Sequence, residues 1–337
     1  MNPINPPLLE QNIFKNYLKF SFSFLFIFCF HLFSMNAQTI EEVDSLLIDR
    51  NLENYSVRIF SNFKVKKFTI KDEDSKSKFV PNNRYGLGFG IASEKFIIDL
   101  AFNIKNPNKA ETKRFDLQVT TILEKQHYVN AYIQTYKGFN VKNDFDVPTV
   151  FRSDIRSVTF GLNYLYTLDD VAFSYSQLKA GLPQKKNKDI YITGGLGVFG
   201  VYDYFSADPT IFNEETRAYF NEEANIKRYN GRALGLLAGF VSYFKLPENI
   251  TATFNFMPGV ALINKKITLQ EDSYRPSNPM LYKIDFHIGL GYSYKRYYAS
   301  LTYGNGFYTT DFDKDNNYFF NLTNAKLAIG YKLKAKK

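Results

Sequence analysis

The sequence predicts an all-β protein, an antiparallel transmembrane β-barrel of about 12 strands within a range of roughly 10–14. A signal peptide and a short N-terminal helix precede it. Three observations predict this fold. Apolar residues recur at every second position over long stretches, the links between these stretches alternate between short and long, and an export-type apolar segment comes first. Composition agrees, with 34 Phe, 25 Tyr and no Trp, because aromatic residues favour strands and the interfacial girdles of barrels. Mean hydropathy is slightly negative. That excludes a multi-helix membrane protein and suits a barrel, whose lumen and loops dilute the apolar face.

Residues 1–37 read as the signal peptide. Lys15 and Lys19 precede the run FSFSFLFIFCFHLF at 20–33, a basic region before an apolar core too short to span a bilayer comfortably. Met35-Asn36-Ala37 forms the cleavage site, with an uncleaved anchor as the alternative. Residues 38–54 are a periplasmic lead-in, in which Ile40, Val43, Leu46 and Leu47 fall at helical spacing. A plug entering the lumen is the sharper reading of that helix.

The barrel occupies 55–334. Val57–Ile70 is the first strand, and a polar loop follows. Tyr85, Leu87, Phe89 and Ile91 then alternate with Gly86, Gly88 and Gly90. Phe96, Ile98, Leu100 and Phe102 alternate with Asp99 and Asn103, and Phe115, Leu117 and Val119 with Arg114, Asp116 and Gln118. HYVNAYIQTYKGF and the run through Val158–Tyr164 continue the pattern. Val171–Tyr202 counts as one ascending excursion, interrupted by LKAGLPQKKNK, because that keeps the strand number even and both ends periplasmic. The clearest stretch is Tyr282–Phe307. Ile284, Phe286, Ile288, Leu290, Tyr292 and Tyr294 share one face, opposite Asp285, His287, Gly289, Gly291 and Ser293. Asn321–Leu333 is the last strand.

The net charge is +9. The lysines are scattered over predicted loops and the tail, where Lys332, Lys334, Lys336 and Lys337 are expected in solvent, so nucleic acid is excluded as a partner. The sole cysteine, Cys29, lies in the signal segment. The mature chain then has no disulfide, thiolate nucleophile or cysteine metal site, and no cofactor is expected.

The segments FVPNNRYGLGFGIASEKFIIDLAF, LEKQHYVNAYIQTYKGF and FSYSQLKAGLPQKKNKDIYITGGLGVF resemble the Bacteroidetes-type outer-membrane proteins grouped as domain-of-unknown-function family 4421. The marks are Pro81-Asn82-Asn83, Tyr136-Lys137-Gly138-Phe139 and Gln184-Lys185-Lys186, and the resemblance covers about Asn54 to Leu333. It implies an outer-membrane location and transfers no catalytic residue.

Four features are candidate sites. Gly195–Gly200 matches the dinucleotide fingerprint G-x-G-x-x-G, but it lies inside a strand-like run with no helix pattern after it. Curvature or lumen-facing positions explain its glycines. Asp311, Asp313 and Asp315 have calcium-loop spacing, yet the sixth position is Asn316 and the twelfth is Leu322. They read as an acidic loop, with bound calcium as the alternative. His127 and His287 are the only histidines after signal removal. A lipid hydrolase needs an activated serine, and Ser293 lies roughly 20 Å along the strand from His287, with Ser300 on the next strand. Asp99, Arg114, Asp116, Asp285, His287 and Lys326 fall on polar strand faces. They form a lumen network of mixed sign that either salt-bridges a filled interior or sets the selectivity of a passage.

These readings combine into an integral outer-membrane barrel, exported by its signal and favoured as a monomer. Its partners are outer-membrane lipids and small solutes, and its role is structural, binding or passive passage. An outer-membrane lipid hydrolase and a secreted soluble β-barrel binding protein are the alternatives.

Overall fold

A computed structural model describes residues 55–93, 97–104, 110–123, 125–171 and 189–333. The signal peptide, the 38–54 lead-in and the Gln184-Lys185-Lys186 element lie outside the described residues. Among those residues the strands are β1 (Tyr55–Lys71), β2 (Lys76–Val80), β3 (Tyr85–Ser93), β4 (Ile97–Asn103), β5 (Lys113–Leu123), β6 (His127–Asn143), β7 (Val150–Thr167), β8 (Ile190–Ser206), β9 (Arg228–Leu246), β10 (Ile250–Thr268), β11 (Ser273–Tyr274), β12 (Met280–Tyr294), β13 (Tyr297–Asp311) and β14 (Asn317–Lys332). All their pairings are antiparallel, and β1 closes on β14 in continuous register from Ser56↔Lys332 to Lys71↔Asn317. The protein is a closed antiparallel β-barrel.

The hydrogen-bonded ring has ten strands, in the order β1-β14-β13-β12-β10-β9-β8-β7-β6-β2. Twelve passes of the chain are nevertheless present. β2 and β3 form one descending pass, broken at 81–84. β2 pairs the upper half of β1 and β3 the lower half. β2 also reaches β6, joining Ser77–Val80 to Asn140–Asn143, while β5 covers His127–Lys137 of the same strand. β3, β4 and β5 therefore fill only one half of the wall between β1 and β6. β8 begins at Ile190, and residues 172–188 of the expected Val171–Tyr202 excursion lie outside the described residues.

The end holding the turns at 125–126, 247–249 and 295–296 is the turn end, and the opposite end is the loop end. Lys125, Glu248, Asn249 and Lys295 have positive φ there, the left-handed backbone of tight hairpins whose twist matches the strands. Two marks of the family resemblance are also geometric features. Asn83, with φ 53°, sits at the β2–β3 break, and Gly138, with φ 94°, sits at the bulge where the β6–β7 register shifts. Gly195–Gly200 lies in mid-β8.

Alternation decides which side chains face outward. Ile59, Leu100, Phe102, Leu196, Leu234 and Leu262 are exposed apolar residues of this outer wall. On β12 five residues of the expected row, Ile284, Ile288, Leu290, Tyr292 and Tyr294, are likewise exposed, while Phe286 is half-buried against Tyr303 and Phe307. From Tyr282 to Tyr294 the row spans roughly 30 Å at the usual rise and tilt, about the thickness of a hydrocarbon core. Exposed Tyr166, Tyr292, Tyr294 and Tyr297 cluster at the turn end, as an interfacial girdle does.

Inside, large side chains lie over glycines of neighbouring strands. A Cβ on Gly161 would come 2.1 Å from the Tyr132 ring, and one on Gly88 would come 2.5 Å from the Phe60 ring. Gly161→Leu is expected to lower stability by about 1–3 kcal/mol through overpacking, read as the denaturant midpoint of the refolded protein in detergent. An unchanged midpoint would show that Tyr132 does not fill that space.

Candidate functional site

At the loop end the lumen is filled with aromatic residues. Phe68 from β1 stacks on Phe79 from β2 at 4.5 Å and on Phe205 from β8 at 5.1 Å. Tyr229, Phe312, Tyr318 and Phe320 extend the layer, each at 0% exposure. β1 and β8 stand nearly opposite each other in the ring, so these contacts cross the lumen. The loop at 207–227 folds over them and carries a one-turn helix, α1 (Glu214–Arg217), capped by Asn213. Its Phe212 reaches Phe79 at 6.2 Å, and Asn221 Nδ2 donates to Asn316 Oδ1 at 3.2 Å.

Beneath the aromatics, polar pairs also cross the lumen. Lys66 on β1 bonds Asp203 on β8, both fully buried. Asp203 also accepts from Thr159 at 2.6 Å and Tyr318 at 2.6 Å. This satisfies the carboxylate, as a buried ion requires. Tyr132 on β6 meets Tyr308 on β13 at 2.8 Å. Lys283 on β12 donates to Asn163 on β7 at 2.6 Å and pairs with Asp285, which also accepts from Asn163 at 3.2 Å.

The six residues of the expected network all lie on inward faces, in three groups. Asp99 accepts three bonds from Arg58, at 2.9, 2.8 and 2.7 Å, and is paired with Lys326. Arg114 stands 3.9 Å from Asp116, which accepts from Tyr136 at 2.7 Å. Asp285 and His287 line a cavity of about 80 Å³ just below the crossing pairs. Its other polar walls include the carboxamides of Gln118, Asn130, Gln134, Asn163, Asn255 and Asn324. Carboxamides donate and accept, so they suit a hydroxylated or hydrated occupant.

Arg58, Lys66, Asp203 and Lys283 escaped sequence reasoning, although the parity of their strands places them inward. That they meet partners across the ring depends on closure, which sequence spacing does not encode. Lys332 was expected in solvent. It turns inward and donates to Ser293 at 2.6 Å, because it shares the face of Lys326 and Ala328. Ser300 pairs with Gly291 on β12, and His287 pairs with Gly304. Ser300 and His287 are thus about four residues apart, or roughly 13 Å. His127 faces outward, against Tyr164 at 2.8 Å.

In the acidic loop at 311–315, Asp311 accepts from the backbone of Asp313, and Asp313 accepts from Ser277, with positive φ at Asp313, Lys314 and Asp315. Among the described residues no group of three or more candidate metal ligands forms.

The geometry defines a membrane-type β-barrel with a polar, wall-to-wall bridged lumen. The family described as a domain of unknown function (DUF4421) matches residues 42–333, and the chain belongs to it. No curated protein matches the chain in sequence. Among solved structures it is similar to the outer membrane protease OmpT from Escherichia coli, at 9% identity and TM-score 0.38 over 85% of this chain and 99% of that one. It is also similar to the β domain of the Bordetella autotransporter BrkA, at 9% identity and TM-score 0.33 over 83% and 99%. A third is the P. putida toluene transporter TodX, at 8% identity and TM-score 0.25 over 86% and 92%. The barrel described here rests on the chain's own strand ladders, and these similarities add nothing about activity.

Lys66→Met leaves Asp203 buried without its cation and is expected to cost about 3–5 kcal/mol. Adding Asp203→Asn should recover most of the loss, measured as unfolding midpoints in detergent. Equal midpoints for the single and double variants would show that the pair is not coupled.

Proposed function

We propose that the chain is an integral outer-membrane barrel, exported by its N-terminal signal and inserted with the turn end toward the periplasm. Its lumen holds a small polar ligand and does not conduct solutes along the axis. The observation that carries this reading is the contact between opposite walls, Phe68 with Phe205 and Lys66 with Asp203. Such contacts close the axial path above the amide-lined cavity and leave that cavity as a dead-end chamber. A chamber bounded by rigid aromatic packing and lined by carboxamides retains a ligand, whereas a porin-type lumen keeps continuous water.

The test joins outer-membrane fractionation, heat-dependent gel mobility and planar-bilayer conductance. The native protein should fractionate with the outer membrane, shift on heating and show no steady conductance. The variant Phe68→Ala/Phe205→Ala should stay folded and open a measurable current. Steady current through the native barrel would sink the binding reading. Absence from the membrane fraction, with no mobility shift, would sink the barrel's placement in the membrane.

A further inference from the structure

The cavity has a side door. Among the described residues β4 pairs only with β3, and β5 only with β6. No ladder joins β4 to β5, so the ring that β2 closes above is split by a seam in its turn-end half. Exposure locates the mouth independently. Inward-facing side chains elsewhere in the barrel are mostly buried, yet Ala101 and Asn103 on the inner face of β4 and Gln118 on that of β5 are exposed. Among the described residues Gln118 is the one exposed residue lining the cavity. The chamber therefore has an opening through the wall.

The chemistry at the seam is divided. Outside it stand Leu100 and Phe102 on β4 and Phe115 and Leu117 on β5, all about half exposed or more. Inside it stand Arg58, Lys64, Arg114 and Lys326 against two carboxylates, Asp99 and Asp116, an excess of cations. Arg114 spans the seam. Its Nε donates to Asn103 Oδ1 at 3.0 Å, and its Nη1 donates to the Lys64 carbonyl at 2.6 Å. Two unpaired strand edges facing hydrocarbon leave backbone N–H and C=O groups that must find partners. An apolar rim, a cationic throat and an amide-lined chamber match the parts of one molecule in order.

We infer that the β4–β5 seam admits an anionic glycerophospholipid with a hydroxylated headgroup, its phosphate at the throat, its headgroup hydroxyls in the chamber and its acyl chains against Leu100, Phe102, Phe115 and Leu117. The chamber has room for about five to eight waters, enough for a small headgroup and too little for an acyl chain. A phosphate would take over the two bonds that Arg114 Nε and Nη2 give to Asn103 Oδ1, a bidentate fork that suits phosphate oxygens, and phosphate and hydroxyl oxygens satisfy edge N–H groups. This deepens the binding reading above and rests on it.

Native mass spectrometry of the full chain tests it, with protein released from nanodiscs of equal phosphatidylglycerol and phosphatidylcholine. The native barrel should retain one phosphatidylglycerol. Retention should fall about tenfold in Arg114→Gln, the size of one charge-assisted hydrogen bond. It should fall as far in Gln118→Trp, which blocks the mouth and leaves every cation in place. Arg232→Gln, on the outer wall over Tyr202, should retain lipid like the native chain. Heat-dependent mobility confirms that each variant is folded. Equal retention by Arg114→Gln and Arg232→Gln means boundary lipid only and overturns the proposal. So does a dimer without lipid, which would mean that a second copy pairs with the free edges. Failure of the native chain to shift on heating would instead remove the barrel-in-membrane reading.

Discussion

Everything inside this barrel depends on how the ring closes. β2 is only five residues long, yet it joins β1 to β6. Where it does so the wall has ten strands, and a ten-strand ring has a radius of roughly 10 Å at ordinary spacing and tilt. Side chains from opposite walls must meet at that radius. Phe68 then touches Phe205, and Lys66 reaches Asp203, as a direct result of closure. Below β2 the same circuit has to accommodate β3, β4 and β5 as well. The wall widens there, glycines line β3, and the last pair of strands fails to join. A sealed upper lumen, a chamber beneath it and a lateral seam share one cause.

The outer wall was almost fully legible in the sequence, because lipid-facing parity is a local property. Ile284, Ile288, Leu290, Tyr292 and Tyr294 could be placed outward from alternation alone, and the same rule put Asp99, Arg114, Asp116, Asp285, His287 and Lys326 inward. Closure was less legible. Twelve passes follow from counting apolar runs, but nothing local marks β2 as the strand that completes a ring of ten. Pairings across the lumen were illegible for the same reason, since Lys66 and Asp203 are 137 residues apart.

The interior also sorts by height. Aromatic rings occupy the loop end, ion pairs and phenols the middle, and carboxamides the chamber. Each layer suits its exposure. The rings exclude water, so the Lys66–Asp203 pair beneath them has to be satisfied within the protein, by Ser157, Thr159 and Tyr318. Below that pair the chamber wall is largely carboxamide, and neutral amides avoid the desolvation cost of more buried charge.

Buried ion pairs add little net stability over well-packed apolar side chains of similar size, so their persistence here calls for another reason. Register supplies one. A barrel strand that slips by one residue exchanges its two faces. On β1 such a slip would turn Arg58, Lys64 and Lys66 outward and bring Ile59, Val65 and Lys67 inward. On β8 it would send Asp203 outward and bring Tyr202 and Tyr204 inward. A charge on the lipid face near mid-membrane costs about 2–4 kcal/mol for Arg or Lys, and the abandoned partner across the lumen adds its own penalty. Apolar alternation alone discriminates poorly in a chain this rich in Tyr and Phe, which tolerate either face. The charged residues make the two registers unequal. The same inward cations fix the lumen and gather at its seam, so the device that sets the fold also sets the chemistry of the chamber's entrance.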